Sequence, residues 1–307
     1  MAAFTTFTEE ALVRYLVMFG KGQLQEYVPI TAGIENSNYF ITLNQYEVST
    51  DYVLTIIEDL SFDEVPFFNK ILTQLYQYGL PVAAPQSTLD GMTLTIFCGK
   101  PAFLFPKLPG RHPVEIEATH CQKIGEFLAI CHQSLSDVKV TRANPYDLDW
   151  MQASLNQVKS KITDEELDQL SSLVNEYEHL QGLDLPRGLI HGDLFKDNAL
   201  FDGEGPTDVT LSGVIDFYHA CDDFLIQDIA IAINDWCIAE NGGINETLKS
   251  VLISGYEEIR PMTPGEEAAL VPIQRTSAAR FALTRLLSGD PPLKNPTEML
   301  NLAARLR

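Results

Sequence analysis

The spacing of apolar residues changes once along this chain, and that change limits the folds open to it. Before about residue 106 the apolar residues come in short, β-branched and aromatic runs. Tyr27–Ile30, Tyr39–Leu43 and Tyr52–Ile57 read as strands, and Ala102–Phe105 as one more buried strand. A helix is expected over residues 8–19, with Ala11, Leu12, Leu16 and Phe19 on one face. A second is expected over Val65–Gln77, stopped by Gly79 and Pro81. Asp90-Gly91, between Ser87–Leu89 and Met92–Phe97, predicts a hairpin turn. The stretch Pro106-Lys107-Leu108-Pro109-Gly110 reads as a hinge. Beyond it the spacing becomes helical, over Ile116–Leu135, Asp164–Leu180, Asp223–Glu240 and Gly265–Leu287. One strand–loop–strand island, Gly188–Phe217, interrupts the helices. The expected class is therefore α+β. A small N-terminal antiparallel sheet lobe (1–105) precedes a larger, mainly helical lobe (106–307), with a cleft at the hinge where a small molecule can bind.

Composition narrows the partners. The chain has 307 residues and a formal charge of −21, a field that repels nucleic acid and anionic membranes. No apolar run is long enough to span a bilayer, and residues 1–10 carry no secretory signal. The five cysteines form no C-x-x-C pair, which predicts reduced thiols in a cytoplasmic protein.

The island carries the chemistry. Residues 189–201 read LIHGDLFKDNALF, placing His191, Asp193 and Asn198 in the pattern H-x-D-x-x-x-x-N, and residues 213–217 read GVIDF, ending in Asp216. An aspartate beside a hydroxyl can orient it and accept its proton. An asparagine carbonyl and a second aspartate offer the hard oxygens that magnesium prefers, and magnesium offsets charge on transferring phosphate. Each piece alone is weak. An H-x-D is often a surface turn, and an aspartate after an apolar strand is common. Their order behind a sheet lobe and a hinge points to phosphoryl transfer.

These two loops resemble those of the aminoglycoside-phosphotransferase-like kinases, which have a protein-kinase-like two-lobed fold. The likeness is strongest to the bacterial homoserine kinases of that group. It runs through GIENSNYF (33–40), YVLTIIE (52–58), VPFFNKIL (65–72), KPAFLFPKLPGRH (100–112) and the stretch from IDFYHA (215–220) to DIAIAINDWC (228–237). The resemblance implies an ATP- and Mg²⁺-dependent enzyme that phosphorylates the side-chain hydroxyl of L-homoserine, the threonine-branch step. It implies Asp193 as base, Asn198 and Asp216 as metal ligands, and His191 and Asp228 as structural. Asp228 also reads as an ordinary acid at a helix N-terminus.

Gly33, Asn36, Ser37 and Asn38 are expected in a phosphate-covering loop, with Thr55, Phe105 and Lys107 bordering the nucleotide. The third strand of kinases usually carries a lysine where Thr55 stands here, a threonine that the homoserine-kinase resemblance shares, and there is no Lys or Arg from Gly22 to Asn69. Lys196 is the candidate to supply charge near the reacting phosphate, or is a solvated loop lysine. For the amino-acid substrate the candidates are Tyr218, Asp235, Trp236, Arg280 and Arg285, with surface ion pairs the alternative for the two arginines. His112 reads as a cap for the next helix. Sister kinases acting on choline, ethanolamine, methylthioribose or an aminoglycoside share the island. A non-catalytic nucleotide-binding pseudokinase would fit the missing lysine. No A-P-E-like segment follows Asp216, which speaks against a protein-serine kinase.

Overall fold

The computed structural model describes residues 5–31, 35–203, 208–289, 291–292 and 294–306. It divides into two compact units. One is Met1–Pro109 with Gly213–Ile215; the other is Gly110–Ser212 with Asp216–Arg307.

In the first unit, helix α1 (Glu9–Leu16) starts where Thr8 accepts the amide hydrogen of Ala11, with two glutamates in its first turn. A 3-10 turn, Val17–Phe19, extends it. A five-stranded antiparallel sheet follows, built from β1 (Gln23–Pro29), β2 (Ser37–Gln45), β3 (Val48–Ile56), β4 (Thr95–Phe97) and β5 (Lys100–Pro106), in the order β1-β2-β3-β5-β4. Alternation decides its faces. Tyr39, Ile41 and Leu43 of β2, with Tyr52, Leu54 and Ile56 of β3, pack against Leu12, Tyr15, Leu16 and Phe19. Asn38 and Thr55, paired across β2 and β3, stand on the other face. Helix α2 (Val65–Gln77) buries Phe68, Ile71, Leu72 and Leu75.

The expected hairpin at Asp90-Gly91 is a correction. A turn is present there, with the Gly91 amide donating to the Thr88 carbonyl at 2.9 Å, but Ser87–Leu89 forms no strand. The hairpin closes instead at Cys98-Gly99, between β4 and β5. Both residues have positive φ (52° and 78°), the backbone twist that suits a two-residue β turn.

The second unit contains α3 (Ala118–Leu135), α4 (Leu148–Val158), α5 (Asp164–Leu180), α6 (Leu225–Trp236), α7 (Glu246–Glu257), α8 (Pro264–Leu287) and α9 (Pro296–Arg305). Strands β6 (Arg187–Ile190) and β9 (Cys221–Phe224) pair antiparallel, and β7 (Ala199–Asp202) pairs with β8 (Thr210–Val214). The helix expected over Asp223–Glu240 is shorter, because Asp223 and Phe224 are drawn into β9 by pairing with Gly188 and Arg187. Helices α4, α7 and α9 were not anticipated. Met151, Leu170, Leu173, Ile231, Phe281, Leu283, Met299 and Leu300 share one core, and Phe195 joins it from the loop after β6.

Helices α3 and α7 meet closely through glycine. A Cβ on Gly125 would lie 2.1 Å from the Leu252 carbonyl oxygen, inside the van der Waals limit. No helix among the described residues is long and apolar enough to cross a membrane.

Candidate active site

Strand β6 delivers the chain to His191 at a turn that only a particular backbone permits. Gly192 has φ of +77°, and a Cβ there would lie 2.8 Å from the His219 carbonyl oxygen. The amide groups of His191 and Gly192 both donate to the buried Asp228 carboxylate, at 2.7 and 2.8 Å. The His191 ring is also buried; its Nδ1 accepts the Asp193 amide hydrogen at 3.2 Å, and the ring lies 4.4 Å from that of Phe217. The His191 and Asp228 side chains thus shape the loop from below.

Asp228 has a further partner that sequence reasoning missed. His132 of α3 reaches its carboxylate through Nε2 at 3.1 Å, and the other ring nitrogen meets the Tyr256 hydroxyl at 2.8 Å. Arg260 donates to that hydroxyl at 3.0 Å and pairs with the buried Glu266 at 2.9 Å. An arginine has no acceptor. A hydrogen-bonded series thus links Arg260, the Tyr256 hydroxyl, His132 and Asp228. Burial by itself would raise the Asp228 carboxyl. The His132 hydrogen bond, the neighbouring imidazoles and the Gly192 amide outweigh it and hold the carboxyl below its usual range. Nothing local in the sequence marks His132 or Tyr256, which lie 96 and 124 positions from their respective partners Asp228 and His132.

Asp193 and Asn198 come together. The Asn198 carboxamide nitrogen donates to the Asp193 carbonyl at 2.8 Å and to its Oδ2 at 3.0 Å. With its nitrogen so committed, Asn198 has its Oδ1 left to offer, a hard oxygen of the kind a magnesium ion takes. Asp216 follows β8 and occupies the left-handed region (φ 63°), heading the 3-10 turn Phe217–His219. That turn touches the Asp193 loop twice, through the Phe217 ring and the His219 carbonyl. An amide oxygen and a carboxylate on adjoining loops are donors that suit a hard divalent cation.

A model of the phosphotransferase enzyme family matches residues 26–262. The chain belongs to that family. It is 37% identical over 294 residues to a homoserine kinase of Sinorhizobium medicae, covering 93% of this chain and 86% of the relative. A homoserine kinase of Cupriavidus metallidurans is 35% identical over 93% of this chain and 89% of its own length. Among solved structures, the fold is similar to an amicoumacin kinase in complex with AMP-PNP and Ca²⁺, with a TM-score of 0.75 and 18% identity over 97% of this chain and 92% of that one. It is also similar to a spectinomycin phosphotransferase in complex with ADP, with a TM-score of 0.67 and 14% identity over 97% and 94%.

Several expected site residues of this phosphotransferase stand elsewhere than expected. Asp235 accepts the Lys196 amide hydrogen at 2.7 Å, and the Lys196 ammonium lies 3.7 Å from its other oxygen. Both residues therefore fasten the 3-10 turn Lys196–Asn198. Burial raises the Asp235 carboxyl, with Lys196 opposing. Trp236 is 1% exposed and donates its indole N–H to the Leu194 carbonyl at 3.0 Å, so it supports the loop from beneath instead of lining a pocket. Arg285 reaches the Asn295 carbonyl and Glu298, tying α8 to α9. The Tyr218 carbonyl accepts from Arg142. His112 contacts the Ala199 carbonyl at 3.0 Å instead of capping α3, whose cap is Glu117 with His120.

Arg280 lies beside the site. Its Nη1 is 4.0 Å from Asp193 Oδ1, and its guanidinium carbon is 3.7 Å above the Tyr146 ring.

In the sheet unit, Gly33 lies outside the described residues. Asn36 accepts the Glu58 amide hydrogen. Ser37 is fully buried, and its hydroxyl is turned into a cluster with Glu58, Thr5 and Lys100 instead of outward. Thr55 donates to the Asn38 side chain at 2.7 Å. Phe105 is buried beside Val53. Lys107 pairs with Asp51 at 3.3 Å and lies over the Phe40 ring.

Proposed function

We propose that this enzyme transfers the γ-phosphoryl group of ATP to the side-chain hydroxyl of L-homoserine, giving O-phospho-L-homoserine and ADP on the route to threonine. The observation that carries the chemistry is the Asn198–Asp193 pair on a loop whose amides are held by a buried carboxylate. The acceptor rests on likeness to homoserine kinases across 93% of the chain.

Asp193 is the base. Asn198 fixes one of its oxygens, which sets the rotation of the carboxylate before substrate arrives. The substrate hydroxyl gives its proton to Asp193 as its oxygen bonds to the γ-phosphorus. The bond from that phosphorus to the β–γ bridging oxygen breaks, and ADP leaves. Asn198 and Asp216 would hold magnesium, which would offset the charge on the phosphates. Asn36, Asn38 and Thr55 are the nucleotide-binding candidates of the sheet unit, and Lys196 would hold the turn that presents Asn198. The partners are a small amino acid and ATP, and the reduced cysteines suit the cytoplasm.

The test is ADP release from purified protein with homoserine, choline, ethanolamine, methylthioribose and kanamycin in turn. Homoserine is expected to give the highest kcat/KM by at least about tenfold. Preference for another acceptor would reassign the substrate, and ADP release indifferent to every acceptor would remove the kinase reading.

A further inference from the structure

Arg280 is a buried cation beside Asp193 with few polar partners among the described residues. Its side chain is 8% exposed, near the middle of α8. One face of the guanidinium is stacked on Tyr146, which is in turn held edge-on by Trp150 with ring centroids 4.8 Å apart. The rim carries the N–H donors, and it meets very little. Nη2 is 3.4 Å from His219 Nδ1, and Nη1 is 4.0 Å from Asp193 Oδ1, beyond hydrogen-bond range. These are the only polar groups it reaches among the described residues. A guanidinium has five donors in a planar fork, more than these two partners take up. Arginine donates only, so the single lone pair of His219 Nδ1 is shared between Arg280 and the Tyr146 hydroxyl, 3.1 Å away. Tyr146 and His219 therefore orient the fork without satisfying it.

We infer that the Arg280 fork is the receptor for the carboxylate of the amino-acid substrate, with Tyr146 as its floor. This rests on the homoserine reading and names the residue that makes it selective. A four-carbon hydroxy amino acid carries its hydroxyl and carboxylate at the two ends of a short chain. The group that binds the carboxylate must therefore lie within a side chain's reach of the base, as Arg280 does of Asp193. Homoserine is a zwitterion with no net charge at neutral pH, and in a chain of formal charge −21 its carboxylate needs a local cation. Planar, bidentate pairing with a carboxylate is what a rigid guanidinium supplies and an ammonium does not.

The experiment compares L-homoserine with 3-aminopropan-1-ol, the same molecule without its carboxylate, in wild type, Arg280→Met and Arg280→Lys. The readout is the ratio of kcat/KM for the two acceptors, with thermal melting as the folding control. In Arg280→Met the ratio is expected to fall about 10- to 10²-fold, the worth of a charged hydrogen-bonded contact, chiefly through KM for homoserine. Arg280→Lys is expected to lie between the other two, and it carries the test if the Met variant does not fold. A ratio unchanged from wild type, whether both acceptors fall together or neither does, overturns the carboxylate role. A common fall would place Arg280 on the transferred phosphoryl group or on Asp193. Wild-type enzyme that prefers the carboxylate-free alcohol overturns the proposed function and this inference together. Normal homoserine turnover with an unchanged ratio overturns this inference alone.

Discussion

The Asn198 side chain holds Asp193 at both its carbonyl oxygen and its carboxylate, across five residues of one loop. The two side chains are therefore coupled, and their substitutions are not expected to add. Asp193→Asn is expected to cut kcat by about 10²–10⁴ with ATP affinity retained. Asn198→Ala is expected to lower kcat as well, by freeing the proposed base and removing a proposed metal ligand. The double variant should be little worse than the poorer single one. Additive losses in steady-state kinetics would show that the two act independently.

Magnesium dependence offers a second check. The chain has no Lys or Arg between Gly22 and Asn69, and Lys100, in the same unit, is already paired with Glu58. Neutral donors give weaker hydrogen bonds than charged ones. ATP affinity by calorimetry is expected to drop at least about tenfold when magnesium is chelated. Asp216→Ala should erase most of that dependence along with turnover. A wild type that binds ATP equally well without magnesium would mean that a cation elsewhere meets the phosphates.

Asp228 gives an expectation about acid. Its carboxyl titrates below its ordinary value, so the stabilisation it supplies is fully present above the unfolded-chain pKa, about 3.9. That stabilisation is lost as pH falls through the lower folded value. Asp228→Asn breaks a fully buried pair and should cost about 3–5 kcal/mol at pH 7. In urea unfolding at a series of pH values, the gap between variant and wild type should narrow below about pH 4. A gap that stays constant to pH 3 would exclude Asp228 as the titrating group.

Gly125→Ala tests the support at a distance. The added methyl would press on the Leu252 carbonyl and, at 2.9 Å, on the Tyr256 amide nitrogen. Overpacking of this kind costs about 1–3 kcal/mol. Because Tyr256 holds His132 and His132 holds Asp228, kcat should fall along with Tm, although Gly125 touches no part of the candidate site. A lower Tm with full kcat would show that α7 can shift without disturbing the loop.

How much of this was legible beforehand follows from sequence distance. The His191–Asn198 loop could be read because its residues are consecutive and their geometry is local. The class and the sheet strands followed from alternation, although β1 to β3 run further than their apolar runs suggested. Asp-Gly is a stronger hairpin signal than Cys-Gly, but Ser87–Leu89 found no partner strand, and the turn formed at Cys98-Gly99, where β4 could pair with β5. Asp235 and Trp236 looked like pocket residues because they are polar or aromatic near the motif. The register of α6 sends them under the loop, to Lys196 and Leu194. Tyr146, which carries Arg280, was invisible because stacking across such a separation leaves no pattern.

The hydrogen-bonded series from Arg260 to Asp228 also bears on when the enzyme can first work. A ribosome makes proteins from the N-terminus, and units fold as their parts emerge. His191 and Asp193 are synthesised before Asp228, and Asp228 before Tyr256, Arg260 and Glu266. The nascent chain thus holds its catalytic sequence for some time without the scaffold that shapes it. Arg280 comes later still. A chain truncated before α8 would carry every residue of the H-x-D-x-x-x-x-N motif and lack both Glu266, the buried end of that scaffold, and Arg280. Such a truncated chain is expected to show no phosphoryl transfer.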